Sequence, residues 1–327
     1  MNQRNTIIVF IAITALLVAA CGGPQARNDR TVSFIGGNGG VNIGLINGVP
    51  PAAVYDGGRM DFGVGVVLEN VGESDLGPTT DNPFARVSLE GFLPAAFGMT
   101  PAQMSQDLDR PLLGAHKNFD GSILPGQMHN LVFSPLNYRE RLQGNRVYTF
   151  LIKFCYDYES IATVPICFKN SMIENVQDAQ ICTLTGEKYP QNSGAPLHVT
   201  SVVQNPLAPY KVMVNFVIEH AGTGEFYGRT AGETCDPTIT NSNKYRVDVA
   251  VSSEDPGLNI QCSTLGGDAA GTITMFQGAP QTVTCTLTGD AASASRIYTD
   301  LLTVNLQYRY GESIAQPIVI NAVGSAD

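Results

Sequence analysis

Two blocks of this chain occur twice, in the same order, about 150 residues apart. Residues 64–76 read VGVVLENVGESDL and residues 214–226 read VNFVIEHAGTGEF. At this offset of 150, Val64 matches Val214, Val67 matches Val217, Glu69 matches Glu219 and Gly72 matches Gly222, with Leu68 and Leu76 opposite Ile218 and Phe226. Residues 156–166 (YDYESIATVPI) are answered by residues 308–318 (YRYGESIAQPI) at an offset of 152, with a slip of one around Gly311. Such a pattern marks a chain built as two copies of one plan. The expected domains are residues 31–172 and 178–325.

Both copies read as β. Residues 64–68 and 211–218 are short β-rich runs, and each is followed by a glycine turn. Leu302, Val304, Leu306 and Tyr308 alternate with Thr303, Asn305, Gln307 and Arg309, the period of a half-buried strand. Residues 146–158 alternate over much of their length, with Val147, Thr149, Leu151, Lys153 and Cys155 on one side. Both late blocks are expected to turn at Glu-Ser and return as a closing hairpin. Short strands between Gly, Pro and Asn turns predict an all-β chain of antiparallel sandwiches. Helical signal is confined to residues 100–107, where Thr100 is a candidate cap and Pro101 a first helical residue.

Composition narrows the class further. Of 327 residues 15% are charged and 43% hydrophobic, and 29 acidic against 19 basic residues leave a net charge of −10. A disordered chain needs more charge and less apolar content, and a phosphate-backbone binder needs a basic stripe. No nucleic-acid partner is expected.

The N-terminus carries an address. Arg4 precedes the apolar residues 7–20, broken only by Thr14 and too short to span a bilayer as a helix. This is the form of a secretory signal. Its end, Val18-Ala19-Ala20-Cys21, resembles the lipobox of prokaryotic lipoproteins, in which the cysteine after the cleavage point becomes lipid-modified. The resemblance implies a signal peptide at 1–20, a membrane anchor on Cys21 and a flexible tether through residue 30. Export to the cell surface or periplasm follows.

Setting Cys21 aside leaves Cys155, Cys167, Cys182, Cys235, Cys262 and Cys285. An even number in an oxidising compartment predicts disulfides, although six cysteines permit 15 connectivities. Local patterning favours 155–167 across the closing hairpin, 262–285 between two short strands, and 182–235 by remainder. No pair has the close spacing of a zinc site.

The turn NVGESDLG at residues 70–77, after the stretch PPAAVYDGG at 50–58, resembles the adhesion-type, CARDB-like Ig-fold domains of prokaryotic surface proteins. Uncharacterised two-domain archaeal cell-surface proteins are of this kind. His220 replaces the turn asparagine in the second copy. The resemblance implies two tandem Ig-like sandwiches and a surface location, and no activity.

Motifs for chemistry are sparse. Phosphate loops, dinucleotide fingerprints, His-Glu-x-x-His and the nucleophile elbow are absent from the sequence. Residues 72–76 (GESDL) faintly resemble a serine-hydrolase signature, but Gly224 stands opposite Ser74 in the second copy, so a turn explains both. His116, His129, His198 and His220 are scattered. Asp107 with Asp109, Asp120-Gly121 and Glu254-Asp255 are acidic loop spots that read as solvated turns. No cofactor or metal is expected. Tyr156 with Tyr158, and Tyr308 with Tyr310, each share one strand face and form a candidate binding stripe, with cross-strand packing as the plainer reading.

The expected function is a non-catalytic, lipid-anchored surface protein, a spacer or adhesion module whose edge strands pair with envelope partners. The alternative is a secreted ligand-binding lipoprotein or hydrolase, with its site in the long loop 94–125 or between the domains.

Overall fold

The computed structural model describes residues 34–79, 81–170, 181–230, 232, 234–238, 240–289 and 297–324. The signal segment, Cys21 and the tether lie outside the described residues. Strands account for nearly all regular structure. The first half contributes β1 (Val41–Leu45), β2 (Val54–Tyr55), β3 (Phe62–Asn70), β4 (Ala85–Glu90), β5 (Ser105–Asp107), β6 (His116–Lys117), β7 (Ile123–Leu124), β8 (Met128–Leu136) and β9 (Arg146–Phe168). The second contributes β10 (Gly186–Lys188), β11 (Gln191–Asn192), β12 (Leu197–Ala208), β13 (Lys211–His220) and β14 (Glu225–Tyr227). It continues with β15 (Arg246–Ser253), β16 (Asn259–Cys262), β17 (Ala270–Thr274), β18 (Gln281–Thr288) and β19 (Tyr298–Asn321). The chain is all-β. The expected helix is a single 3₁₀ turn, Pro101–Met104, where Thr100 N donates to the Gln103 side chain at 2.8 Å.

One long sheet runs through the whole body in the order β17-β15-β19-β9-β4-β5. Two shorter sheets, β1-β3-β8 and β10-β12-β13-β18-β16, cover it. The repeat explains this layout. β3 and β13 are the centres of the two covering sheets, flanked by β8 and β18. β4 and β15 take equivalent places beside β9 and β19.

β9 and β19 are antiparallel partners along their full length, from Tyr298 opposite Phe168 to Ile320 opposite Arg146. The expected closing hairpins therefore do not form. Glu159-Ser160 offers no residue suited to positive φ, and the 23-residue β9 runs straight through it. Gly311 is no turn glycine either. A Cβ there would stand 2.8 Å from Cys235 Cβ, so glycine leaves room for a chain that crosses the strand.

Because each long strand passes through both halves, each lines both cores. Phe150, Ile152 and Phe154 of β9 are buried in the first half, and Val164, Ile166 and Phe168 further along are buried in the second. Ile318 and Ile320 of β19 return the exchange. The buried apolar residues form one connected cluster. The boundaries at 31–172 and 178–325 thus mark two halves of a repeat inside one compact unit, Ser33–Asp327, rather than separately folded bodies.

The disulfides follow from this geometry. Cys155 and Cys167 sit 12 residues apart on one continuous strand, about 40 Å at ~3.3 Å per residue, and cannot bond each other. Cys155 bonds Cys235, and Cys167 bonds Cys182, correcting the expected 155–167 and 182–235. Cys262 bonds Cys285 as expected, because β16 and β18 place them directly opposite. Three disulfides suit a chain folded in an oxidising compartment.

Candidate functional site

The repeat offset of 152 carries Asp157 onto Arg309, and the ladder pairs Asp157 with Arg309. A residue paired with its own equivalent lies on a two-fold axis, so a pseudo-dyad passes through this pair. Arg309 Nε donates to Asp157 Oδ1 at 2.8 Å, and both side chains are 5% exposed. The Arg309 guanidinium also lies 4.0 Å from the Phe84 ring centroid and donates to Thr230 O at 3.2 Å. Identical residues here would set like charges together, so the two copies have diverged to opposite signs.

On the other face of the ladder, the same symmetry sets Tyr158 opposite Tyr308 and Tyr156 opposite Tyr310. All four rings are buried and in contact, with centroids 5.7–6.3 Å apart. They are therefore not an exposed binding stripe. Their hydroxyls serve the structure. Val41 N donates to Tyr156 OH at 3.2 Å, and Gly224 N donates to Tyr310 OH at 2.7 Å. Tyr158 OH donates to Gly194 O at 3.3 Å. Ser160 Oγ and Tyr308 OH share a bond of 2.7 Å. Burial pushes all four phenols above their ordinary range.

Beside this cluster is a cavity of about 870 Å³, bounded by Asn42, Phe154, Gly224, Glu312 and the Cys155–Cys235 bridge. Glu312 is the dyad counterpart of Ser160. Where Ser160 satisfies a tyrosine, the Glu312 carboxylate makes no hydrogen bond or ion pair among the described residues. Burial pushes its carboxyl up to about 7. Other charged groups around the cavity are matched: Lys153 with Glu90 at 2.5 Å, Arg86 with Asp107 at 2.6 Å, and Lys244 with Glu225 at 2.6 Å. The arrangement can bind a cationic group.

The other sequence candidates are dispersed. Ser74 Oγ accepts from Asn82 at 2.9 Å. Arg110 Nε donates to His129 Nδ1 at 3.0 Å, and burial holds the His129 imidazole below its ordinary pKa. His220 Nε2 is 3.0 Å from Tyr310 OH, His198 Nε2 is 3.1 Å from Gly37 O, and His116 lies 3.6 Å from Asp75. Asp109 faces His129 at 3.6 Å, Asp120 accepts from Ser122 N at 2.9 Å, and Asp255 accepts from Gly257 N at 2.9 Å. Among the described residues no three His, Cys, Asp or Glu gather around a metal position.

The long loop 94–125 ends in a feature that sequence reasoning missed. β6 and β7 form a hairpin, and every residue from 116 to 125 is exposed. Gly121 N donates to Asn118 O at 2.9 Å, and Asn118 N to Ser122 O at 2.8 Å. Gly121 takes φ +84°, the left-handed position such a turn requires. Phe119, Ile123 and Leu124 stand outside the core at 113%, 55% and 53% exposure. The available signal was a turn sequence, Asn-Phe-Asp-Gly, with apolar residues where a turn is usually polar. Arg229 was missed too. It donates to Tyr158 O at 2.6 Å, Asp81 O at 2.8 Å and the Asn82 side chain, tying the second half to the first.

No protein-family model and no curated protein matches this chain.

Proposed function

We propose that this chain is a non-catalytic, lipid-anchored module of the cell envelope. It is held to the membrane through Cys21 and acts as a rigid spacer or adhesion element on the outer side. The observation that supports it most is the union of a signal segment ending in Val-Ala-Ala-Cys with a sheet body closed by three disulfides. Fusing the halves through β9 and β19 yields a body suited to holding a surface at a fixed distance. Partner proteins are met at sheet edges, of which β8, nine residues long, is the longest in the first covering sheet. Among the described residues no helix is long and apolar enough to cross a membrane, so the lipid carries the attachment in this reading. Kinship with prokaryotic CARDB-like surface proteins, archaeal ones included, belongs to the same proposal.

The test is the intact mass of native protein extracted from membranes, before and after reduction. A chain starting at Cys21, bearing a lipid adduct and gaining six hydrogens, is expected. An unmodified chain with free thiols overturns the reading.

A second reading, ligand binding in the cavity, is favoured by Glu312, whose carboxyl lacks, among the described residues, the partner that its counterpart Ser160 has. It predicts that a small organic ammonium ion raises the melting temperature of the native chain and not of Glu312→Gln. Equal response of the two chains sinks it.

A further inference from the structure

The 116–124 hairpin has no counterpart in the second half. Residues 108–127 separate β5 from β8, whereas only residues 275–280 separate β17 from β18. The insertion does not complete the core, since every residue from 116 to 125 is exposed. It nevertheless carries Phe119, Ile123 and Leu124 at its tip and along one strand. Exposed apolar groups of this size on a projecting hairpin mark a contact with something apolar.

Two observations select the occupant. Ile123 and Leu124 are consecutive strand residues, so their side chains leave on opposite faces, while Phe119 occupies the turn. A flat protein partner covers one face of a hairpin; the interfacial zone of a bilayer surrounds both. The second observation is where the anchored end of the chain arrives. Ile35 N and Gly36 N each donate to the Glu73 carboxylate at 2.9 Å. The hairpin root is held by the same turn, with Ala115 N donating to Gly72 O at 2.7 Å and Gly114 N to Asp75 at 2.8 Å. Thirteen residues (34 − 21) lead from Cys21 to Phe34, a reach of at most about 45 Å. The hairpin tip stands only ~15 Å from its root. The described chain thus begins beside the hairpin root, and a tether of that length lets a lipid on Cys21 and the hairpin tip meet one membrane. Lys117 and Asp120 balance each other within the hairpin, in a chain of net charge −10, so this segment meets less repulsion from anionic lipid than the acidic body does.

We infer that the 116–124 hairpin dips into the headgroup zone of the membrane that holds the lipid anchor, with Phe119, Ile123 and Leu124 among the acyl-chain ends. The inference rests on the anchoring proposed above and adds an orientation to it: the body is held by two points instead of swinging on a tether. Insertion stays shallow, because the hairpin has open backbone edges that need water.

The chain contains no Trp, so Phe119→Trp supplies a single indole, excited apart from the tyrosines at the red edge. The full-length variant, extracted from membranes, is reconstituted in vesicles of phosphatidylcholine and phosphatidylglycerol, with and without bromine on the acyl chains. Intact mass of the same sample reports the lipid on Cys21 independently. A blue-shifted emission quenched by brominated lipid is expected. Adding Ile123→Ser and Leu124→Ser should weaken the quenching about tenfold or more in vesicle titration. Val147→Trp, placed at an exposed position near the start of β9, should stay unquenched. A lipidated chain whose introduced indole stays water-exposed overturns the hairpin inference and leaves the anchor standing. A chain without lipid overturns the anchor, and quenching at excess vesicle then decides the hairpin alone. A blue shift that follows protein concentration and ignores bromine assigns the surface to a second copy and overturns membrane contact.

Discussion

The two halves share a frame and differ in what they attach to it. In both, a covering sheet centred on β3 or β13 packs over a shared sheet whose middle strands are β9 and β19. The difference lies in the loops. The first half inserts residues 108–127 and turns them outward as an exposed hairpin. The second inserts residues 228–245 between β14 and β15, where the first half has residues 77–84 before β4. Most of its described residues are exposed too, but it ties back onto the other half. It carries Arg229 to Tyr158 O and Asn82, and Cys235 to Cys155. A duplicated fold keeps its copies alike where they pack on each other and departs from symmetry where one copy locks the pair and the other faces outward.

The largest effect should come from cutting that lock. Cys155–Cys235 closes a separation of 80 residues, against 23 for Cys262–Cys285 within the second half. Loop-closure entropy puts the first at about 4–5 kcal/mol and the second at about 3 kcal/mol. Cys155→Ser with Cys235→Ser should therefore lower stability in urea by more than Cys262→Ser with Cys285→Ser. The reverse order would mean that the halves are held together by the β9–β19 ladder alone.

The dyad pair gives the next test. Arg309→Ala leaves Asp157 buried without its ion partner, which costs about 3–5 kcal/mol. If the two positions are equivalent, exchanging them (Asp157→Arg with Arg309→Asp) should recover at least half of that loss in urea unfolding. A swap as damaging as the single change would show that the Phe84 ring and Thr230 O, which the Arg309 guanidinium meets, have fixed the polarity.

The third asymmetry titrates. Burial raises Glu312 from 4.5 to about 7. Between those values the folded chain holds a proton that the unfolded chain releases, so this group's contribution to stability is fully present below about 4.5 and is lost as pH rises through about 7. At 1.36 kcal/mol for each tenfold change the span is about 3 kcal/mol at most. Glu312→Gln should remove this downward slope between pH 4.5 and 7. Ser160→Ala, at the dyad-related position, should lower stability without changing the slope.

What was legible in the sequence follows the range of the forces involved. Alternation at 302–308 and the glycine turns after β3 and β13 are local, and they marked strands and an all-β fold. The partner of a strand is not local. Within residues 146–168 only the lack of a turn residue at Glu159-Ser160 speaks for β9 continuing, because its other half is stabilised by β19, about 150 residues away. A turn at that point would set Cys155 beside Cys167, whereas the continuous strand sends them to Cys235 and Cys182. Yet the dyad was written in the repeat itself: YDY and YRY place opposite charges at equivalent positions, as a pair meeting on an axis would require. The tyrosines were legible as a one-faced set but not as buried, since burial depends on covering sheets that the local pattern does not show.

The smallest test concerns the one glycine that both turns share. Gly72 and Gly222 match in the repeat, and each approaches a central tyrosine too closely for a side chain. A Cβ on Gly72 would stand 1.9 Å from Tyr158 OH, 2.6 Å from Gly194 O and 2.8 Å from Gly39 O. On Gly222 it would meet Tyr310 OH at 2.3 Å and Pro196 Cβ at 2.8 Å. Overpacking of this kind costs about 1–3 kcal/mol. The two sites should not respond equally. A tyrosine can tilt away from an added methyl, but Gly194 O and Gly39 O are backbone, and Gly194 N is itself bound to Glu73 at 2.6 Å. Gly72→Ala should therefore destabilise more than Gly222→Ala in thermal unfolding. It should also disturb residues 35–36, which hang on the same Glu73 carboxylate, and expose their amides to hydrogen exchange. Equal losses would mean that the tyrosine contact alone sets the requirement, and that the turn bearing the hairpin root is no stiffer than its counterpart across the axis.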